Sequence, residues 1–178
     1  PPAPDFDVLA LDFECLGDGS VYDLAALGMC HMGSDLRILD RVLIPLWVEG
    51  QSVAEERCFA EFWNKVDADG KQPMRDALHT HFRSPAATLR EAYERGFKQY
   101  AEFRAKCERV SRDGGKKLIL VFDCPTYDAP KLQQLVDRGG HGMHTGIGYE
   151  ISPPHPWRCK APSDDHRAGL AHRIRPAP

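Results

Sequence analysis

The 178-residue sequence lacks several patterns that would assign a chain to a class at once. No stretch approaches the ~20 apolar residues that a membrane helix needs. There is no GxxxxGK[ST] or GxGxxG phosphate loop and no GxSxG nucleophile turn. The formal net charge is only -3, so the chain has no overall basic field. These absences argue against a membrane protein, a P-loop or dinucleotide enzyme, a serine hydrolase and a passive, electrostatic nucleic-acid binder.

Cysteine is present in six copies, but no two form a CxxC pair. Most of them lie within apolar runs, which is typical of buried free thiols and not of a disulfide framework. With 42% hydrophobic and 28% charged residues, the composition is that of a soluble globular protein. We therefore expect an intracellular protein of a reducing compartment, the cytoplasm or nucleus, folded as one domain over residues 1–178 with flexible ends at 1–5 and 175–178.

Three apolar segments joined by short turn-type links open the chain: "FDVLALDF", "VYDLAALGMCHM" and "LRILDRVLIPL". They predict an antiparallel meander of three strands. A fourth strand is predicted at "KKLILVFD". Because this run is apolar throughout, we expect it to be central and covered on both faces.

Helical patterns separate and follow the strands. "SVAEERCFAEFWNKV" predicts a helix capped by Ser52, and residues 67–83 predict a loop with a short helix. The clearest helix begins after Ser84 and ends at a double glycine, with a core-facing stripe. "APKLQQLVDRGG" and "SDDHRAGLAHRI", the latter capped by Ser163, predict two more. The predicted fold class is α/β, a mixed sheet flanked by helices. The stripe of the clearest helix comprises Leu89, Tyr93, Phe97, Tyr100, Cys107 and Val110.

Acidic residues fall where these predicted strands end and helices begin. Strand side chains alternate between faces, so Asp12 and Glu14 point the same way at the end of the first strand. Each acidic residue alone is explained as a solvated strand end, a turn former or a helix cap. Together they form a set of hard oxygen ligands that suits Mg²⁺ or Mn²⁺. The further members are Asp123 and Asp128 after the fourth strand, and Asp164 and Asp165 at the start of the last helix.

The order of these motifs resembles the DEDD 3′–5′ exonucleases, which include polymerase proofreading subunits and ribonuclease T-like and oligoribonuclease-like enzymes. The resemblance rests on "LDFE", "FDCPTYDAPKL" and "PSDDHRAGLAHRI", and it extends from about residue 5 to residue 174. It implies an RNase H-like fold. "ERCFAEFWNK" and "SPAATLREAYERGF" also resemble the middle section of viral and phage-type members, so a viral or phage origin is compatible with the pattern.

The resemblance implies a role for each matching residue. Asp12 and Glu14 match the first motif, Asp128 matches the second, with Asp123 as a nearby competitor, and Asp165 matches the last. In the family these four carboxylates hold two divalent ions around the scissile phosphate. The implied partner is the 3′ end of single-stranded or fraying DNA or RNA, from which nucleoside 5′-monophosphates are released.

The third motif is atypical. The family's histidine subclass has its general base five residues before the last Asp, where this chain has Lys160, and the tyrosine subclass has Tyr at the position of Ala161. A lysine beside carboxylates stays protonated and is a poor base, although it could contact a phosphate. His155 or His166 could take the base's place. The alternative is a catalytically impaired domain that binds nucleic acid or a protein partner.

A zinc site and a base-stacking tryptophan are two further possibilities, and the sequence supports each of them less than the acidic site. His141, His144, His155 and Cys159 match no named zinc-ligand spacing, and histidines in glycine-rich loops are usually solvated. The three tryptophans are expected to be packing residues, except that Trp157 could stack on a base. The others are Trp47 and Trp63.

Overall fold

The computed structural model of the protein describes residues 5–18, 21–65 and 86–140. Its strands are β1 (Phe6–Cys15), β2 (Leu24–Met32), β3 (Ile38–Pro45) and β4 (Lys117–Phe122). Its helices are the short α1 (Glu56–Cys58), which runs on into a π-helical turn (Phe59–Trp63), then α2 (Leu89–Asp113) and α3 (Pro125–Gly139). The described residues thus form a mixed α/β structure.

The four strands form one sheet in the order β3-β2-β1-β4. β1–β2 and β2–β3 are antiparallel, and β1–β4 is parallel. The predicted meander and mixed sheet are therefore confirmed. The prediction that the fourth strand is central was wrong for the described residues, because β4 is an outer strand and its Ile119 and Val121 are 42% and 43% exposed. An apolar run alone does not fix how many faces of a strand are covered.

One face of this sheet carries the hydrophobic core. Alternate residues of β1, including Leu9, Leu11 and Phe13, are buried against the two long helices. Tyr93 and Phe97 of α2 and Leu135 of α3 belong to the same cluster. Both long helices thus lie on this closed face of the sheet. The alternate side chains of β1 point to the opposite face and are less buried.

The long helix α2 begins later than the sequence suggests. Its N-cap is Thr88, whose side chain accepts from the Glu91 N–H while Glu91 reaches back to the Thr88 N–H, so the predicted cap Ser84 was wrong. The predicted apolar stripe is confirmed at Tyr93, Phe97, Tyr100 and Cys107, which are all buried. Leu89 packs at its margin, whereas Val110 is 47% exposed.

The predicted helix after Ser52 is also shorter than expected. The hydroxyl of Ser52 accepts from the Val48 N–H at 3.1 Å, so it is engaged in the preceding turn and caps nothing. The N-cap is Glu55, which makes no side-chain capping bond. Trp63 is buried and Trp47 contacts it with ring centroids 6.3 Å apart, which confirms both as packing residues.

A buried polar cluster lies at the starting end of β1. Ser111 Oγ donates to Asp7 Oδ2 at 3.0 Å, and Lys116 Nζ donates to Asp7 Oδ1 at 3.0 Å. His31 Nε2 lies 3.2 Å from Ser111 Oγ. Burial alone would raise the pKa of Asp7, but these donors outweigh it and lower the pKa below its usual value. This cluster joins β1, β2 and the end of α2.

The cysteines and the helices also bear on predictions made from the sequence. The five cysteines within the described ranges are all free thiols, of which Cys124 is exposed. None of the described helices is long and apolar enough to cross a membrane. The loop at 67–83, the helix after Ser163 and the chain ends, apart from Asp5, lie outside the described residues.

Candidate functional site

Asp12 and Glu14 lie on the face of β1 that points away from the helices. Phe13 between them is buried in the core, as strand alternation requires. Asp12 is exposed and Glu14 is half-buried. Their cross-strand partners on β2 are Gly28 and Ala26, so only small groups flank the two carboxylates on that side. The prediction that Asp12 and Glu14 point to the same face of β1 is therefore confirmed.

Asp128 reaches the same stretch of β1 from the first turn of α3. Its Oδ1 accepts from the Phe13 N–H at 3.3 Å, and its Oδ2 accepts from the Cys124 N–H at 3.0 Å. The carboxylate is buried, with a relative exposure of 1%. It thus connects the start of α3 to the residue between Asp12 and Glu14. The bond from the Cys124 N–H also satisfies a backbone donor at the helix start, where the N-cap Cys124 makes no side-chain capping bond and Pro125 follows it.

The electrostatics of these groups are coupled. Burial, with the charges of Asp12 and Asp128, raises the pKa of Glu14 from 4.5 to about 7. Partial removal of the Asp12 carboxylate from water, together with the carboxylates of Asp128 and Asp123, raises the pKa of Asp12 although the residue remains exposed at the surface. Burial also raises the pKa of Asp128, even though its two N–H donors act in the other direction. Such shifts arise where carboxylates share a confined space.

Asp123 contributes charge to this group from the end of β4, where its own side chain is exposed. The hydrogen bond to β1 belongs to Asp128 and not to Asp123. Of the two candidates for the second motif, Asp128 is therefore the one that the structure joins to the first motif.

The donor chemistry of this site suits a hard divalent cation, since all its groups are carboxylate oxygens. Within residues 5–18, 21–65 and 86–140, however, no three His, Cys, Asp or Glu side chains form a group that could by itself hold a metal ion. Both Asp128 oxygens already accept backbone N–H groups, which leaves each with one remaining lone-pair direction. Among the described residues, these carboxylates do not make up a complete metal-ligand set.

A second group beneath the site was not predicted from the sequence. Lys131 is buried, with 3% relative exposure, and its Nζ lies 5.2 Å from the centre of the Tyr127 ring. Tyr127 in turn hydrogen-bonds to Cys15, and burial raises the pKa of both groups. The available sequence signal was the spacing of three residues from Asp128 to Lys131, which places both on one side of α3.

The link that follows β1 is held in place by a surface charge cluster. Arg57 contacts three carboxylates, with nitrogen–oxygen distances of 2.7, 3.1 and 3.4 Å to Asp18, Glu55 and Glu61. A Cβ on Gly17 would lie 2.6 Å from the Tyr22 ring and 2.8 Å from Glu55 Cβ. The glycine behind "LDFEC" is therefore needed for close packing, which fixes the path of the chain as it leaves the site.

The remaining predicted site residues lie outside the described part of the chain. They are Asp165 with its neighbour Asp164, the replacement residue Lys160, the two candidate bases His155 and His166, and the zinc alternative at His141, His144 and Cys159. Of the four expected metal ligands, the structure brings Asp128 to the segment that carries Asp12 and Glu14. The place of Asp165 stays a prediction.

No protein-family model, curated protein or solved structure matches the chain. Function is therefore inferred from the residues themselves, and above all from the contact between the β1 segment and Asp128.

Proposed function

We propose that this chain is an RNase H-like domain resembling the DEDD exonucleases, which removes nucleoside 5′-monophosphates from the 3′ end of single-stranded or fraying DNA or RNA. The observation that carries the proposal is the hydrogen bond from the Phe13 N–H to Asp128 Oδ1. It joins the second motif to the residue between the two carboxylates of the first, across 115 positions of sequence.

Two Mg²⁺ or Mn²⁺ ions would be held by Asp12, Glu14, Asp128 and Asp165. Divalent ions at such a site supply water activation and charge neutralisation for phosphoryl transfer. The chain's own residues confine the carboxylates. Asp128 is fixed by two backbone donors, and β1 fixes Asp12 and Glu14 on one face. The raised pKa values of these groups support the proposal, because unneutralised repulsion is what bound cations would relieve.

The alternative is a catalytically impaired relative that binds nucleic acid or a protein partner. The observation in its favour is Lys160, which stands where the family's histidine subclass has its base. A third possibility, an interaction domain without an acidic site, requires carboxylates that are scattered in space. It is disfavoured by the coupling among Asp12, Glu14 and Asp128.

The test is an incubation of the pure protein with single-stranded DNA and RNA oligonucleotides, labelled at the 3′ or the 5′ end, in Mn²⁺, Mg²⁺ or EDTA. We expect stepwise shortening from the 3′ end that requires metal and is lost in Asp12→Ala. Asp113→Asn is the matched control, because Asp113 is an exposed acidic residue at the end of α2. It should retain full activity.

Each outcome separates the candidates. Shortening that is equal in wild type and Asp12→Ala would refute the site assignment. Absence of cleavage under every metal, with retained oligonucleotide binding, would favour the impaired binding module over the enzyme. Loss of both cleavage and binding would leave a protein partner as the function to pursue.

A further inference from the structure

β3 is the outer strand on the side of the sheet opposite β4, and one row of its side chains is exposed. It pairs with β2 on one side, and no described strand pairs with it on the other. Asp40 and Val42 are half-buried, whereas Leu39 and Leu43 are 47% and 51% exposed and Arg41 between them is exposed as well. Because strand side chains alternate, these three exposed residues share one face of β3. Exposed outer strands of this kind are templates for pairing with another chain.

The backbone of β3 also has hydrogen-bonding groups at this free edge. The Leu46 N–H donates to the Ala25 carbonyl at 2.9 Å, so every second residue back from Leu46 is bonded to β2. Arg41 and Leu43 are residues in between, and their N–H and C=O groups point to the free edge. The Arg41 N–H accordingly bonds to Asp40 Oδ1 at 2.8 Å and not to β2. Among the described residues, the Leu43 N–H and the carbonyls of Arg41 and Leu43 are left for an added strand.

Arg41 supplies a positive charge that the described residues do not match. Its neighbour Asp40 pairs with Lys106 Nζ at 2.6 Å, and within the described ranges no carboxylate forms an ion pair with Arg41. We propose that β3 binds an extended acidic segment of a partner protein, which adds to the sheet as a further strand. The segment places an acidic residue opposite Arg41 and apolar residues opposite Leu39 and Leu43. It thus combines main-chain hydrogen bonds with matched side-chain pairs.

The same residues disfavour a second copy of this chain as the occupant. Two antiparallel β3 strands pair only in registers that place residues of the same face opposite each other. The register that puts Leu39 opposite Leu43 also puts Arg41 opposite Arg41, and like charges directly opposite are destabilising. A shift of the register by two residues puts Arg41 opposite a leucine. An acidic partner segment avoids both mismatches, and its docking is independent of whether the acidic site cleaves nucleic acid.

The test titrates two fluorescein-labelled peptides, TVTETVT and TVTKTVT, with the full chain and measures their fluorescence anisotropy. Both peptides consist of strand-forming residues around a central charge, and they differ only in that charge. Arg41→Glu reverses the charge at the edge of β3, and Arg41→Gln removes it. Arg112→Glu is the matched control, because Arg112 is an exposed arginine at the end of α2. Thermal melts of each variant show that it is folded.

We expect the wild type and Arg112→Glu to bind TVTETVT about tenfold more tightly than TVTKTVT, because opposite charges on paired strands attract and like charges repel. This preference should disappear in Arg41→Gln and reverse in Arg41→Glu. A wild type that binds neither peptide below about 1 mM would overturn the proposal. A preference for TVTETVT that persists in Arg41→Glu would overturn it too, because the acidic residue would then lie elsewhere.

The same proteins distinguish the other occupants of this edge. A wild-type dimer in sedimentation, together with no binding of either peptide, would assign the edge to a second copy. A labelled oligothymidylate that binds the wild type but not Arg41→Glu, again with no peptide binding, would assign the edge to nucleic acid. Either result would overturn the proposal.

Discussion

Glu14 is the residue at which the electrostatics of the acidic site can be measured most directly. Burial and the like charges of Asp12 and Asp128 raise its pKa from the usual 4.5 to about 7 in the metal-free protein. The folded state therefore holds a proton on Glu14 between these two pH values, whereas the unfolded chain has already released it. Glu14→Gln imitates the protonated side chain without being able to ionise, so it removes this difference.

The size and the sign of the effect follow from linkage. The folded state binds more protons than the unfolded state between pH 4.5 and about 7, so stability falls as the pH rises through this window. Each pKa unit corresponds to about 1.4 kcal/mol, which gives a loss of roughly 3 kcal/mol by pH 8. Glu14→Gln should not suffer that loss. The variant is expected to match the wild type near pH 4.5 and to exceed it in stability above pH 7.

The assay is urea denaturation of both proteins in EDTA at intervals from pH 4.5 to 8, with the free energy of unfolding taken from each curve. Asp113→Asn serves as the control, because Asp113 is an exposed carboxylate at the end of α2. A difference between wild type and Glu14→Gln that stays constant across this pH range would refute the reasoning. Addition of Mn²⁺ at pH 8 should stabilise the wild type more than Glu14→Gln, because only the wild type keeps the carboxylate.

Two further predictions concern the rest of the fold. Asp7→Asn should cost about 2 kcal/mol at pH 7, because it weakens the bonds from Lys116 and Ser111 to a buried acceptor. Since the folded pKa of Asp7 lies below its usual 3.8, this cost should shrink as the pH falls below 3.8, and urea curves showing a constant cost would contradict the assignment. Gly139→Ala should cost about 2 kcal/mol, because its Cβ would meet the carbonyl of Tyr93. In the same thermal melts the control Gly114→Ala, which meets only ordinary contacts, should stay within about 0.5 kcal/mol of the wild type.

The elements that could be predicted from the sequence are those whose pattern is local. β1 to β3 alternate between faces and are joined by short turns, so their meander is encoded in neighbouring residues. α2 repeats its apolar stripe over 25 residues, which identifies it even though its cap was misplaced. The error at Ser52 arose because Ser52 and Glu55 have the three-residue spacing of a capping box. That spacing does not show that the Ser52 hydroxyl is already bonded to the Val48 N–H.

The parts that could not be predicted depend on contacts between distant residues. The resemblance favoured Asp128 over Asp123, but the bond that joins Asp128 to Phe13 is encoded in no local pattern. The burial of Lys131 was equally hidden, because lysine is usually a surface residue and only its place on α3 brings it under Tyr127. The outer position of β4 within the described part of the chain likewise depends on strand order and not on composition.

β1 carries acidic residues at both of its ends, and the contrast between them is informative about function. Asp7 is buried with Lys116 and Ser111 as donors, and its pKa is lowered. The charges that act on Glu14 among the described residues are those of Asp12 and Asp128, which have the same sign as its own, and its pKa is raised. At its starting end, β1 therefore has a carboxylate that is neutralised by its donors and stabilises the fold. At its other end, it has a group of carboxylates whose mutual repulsion destabilises the fold. The cost of these repelling charges at one end of a well-packed strand supports the proposal that this end binds cations.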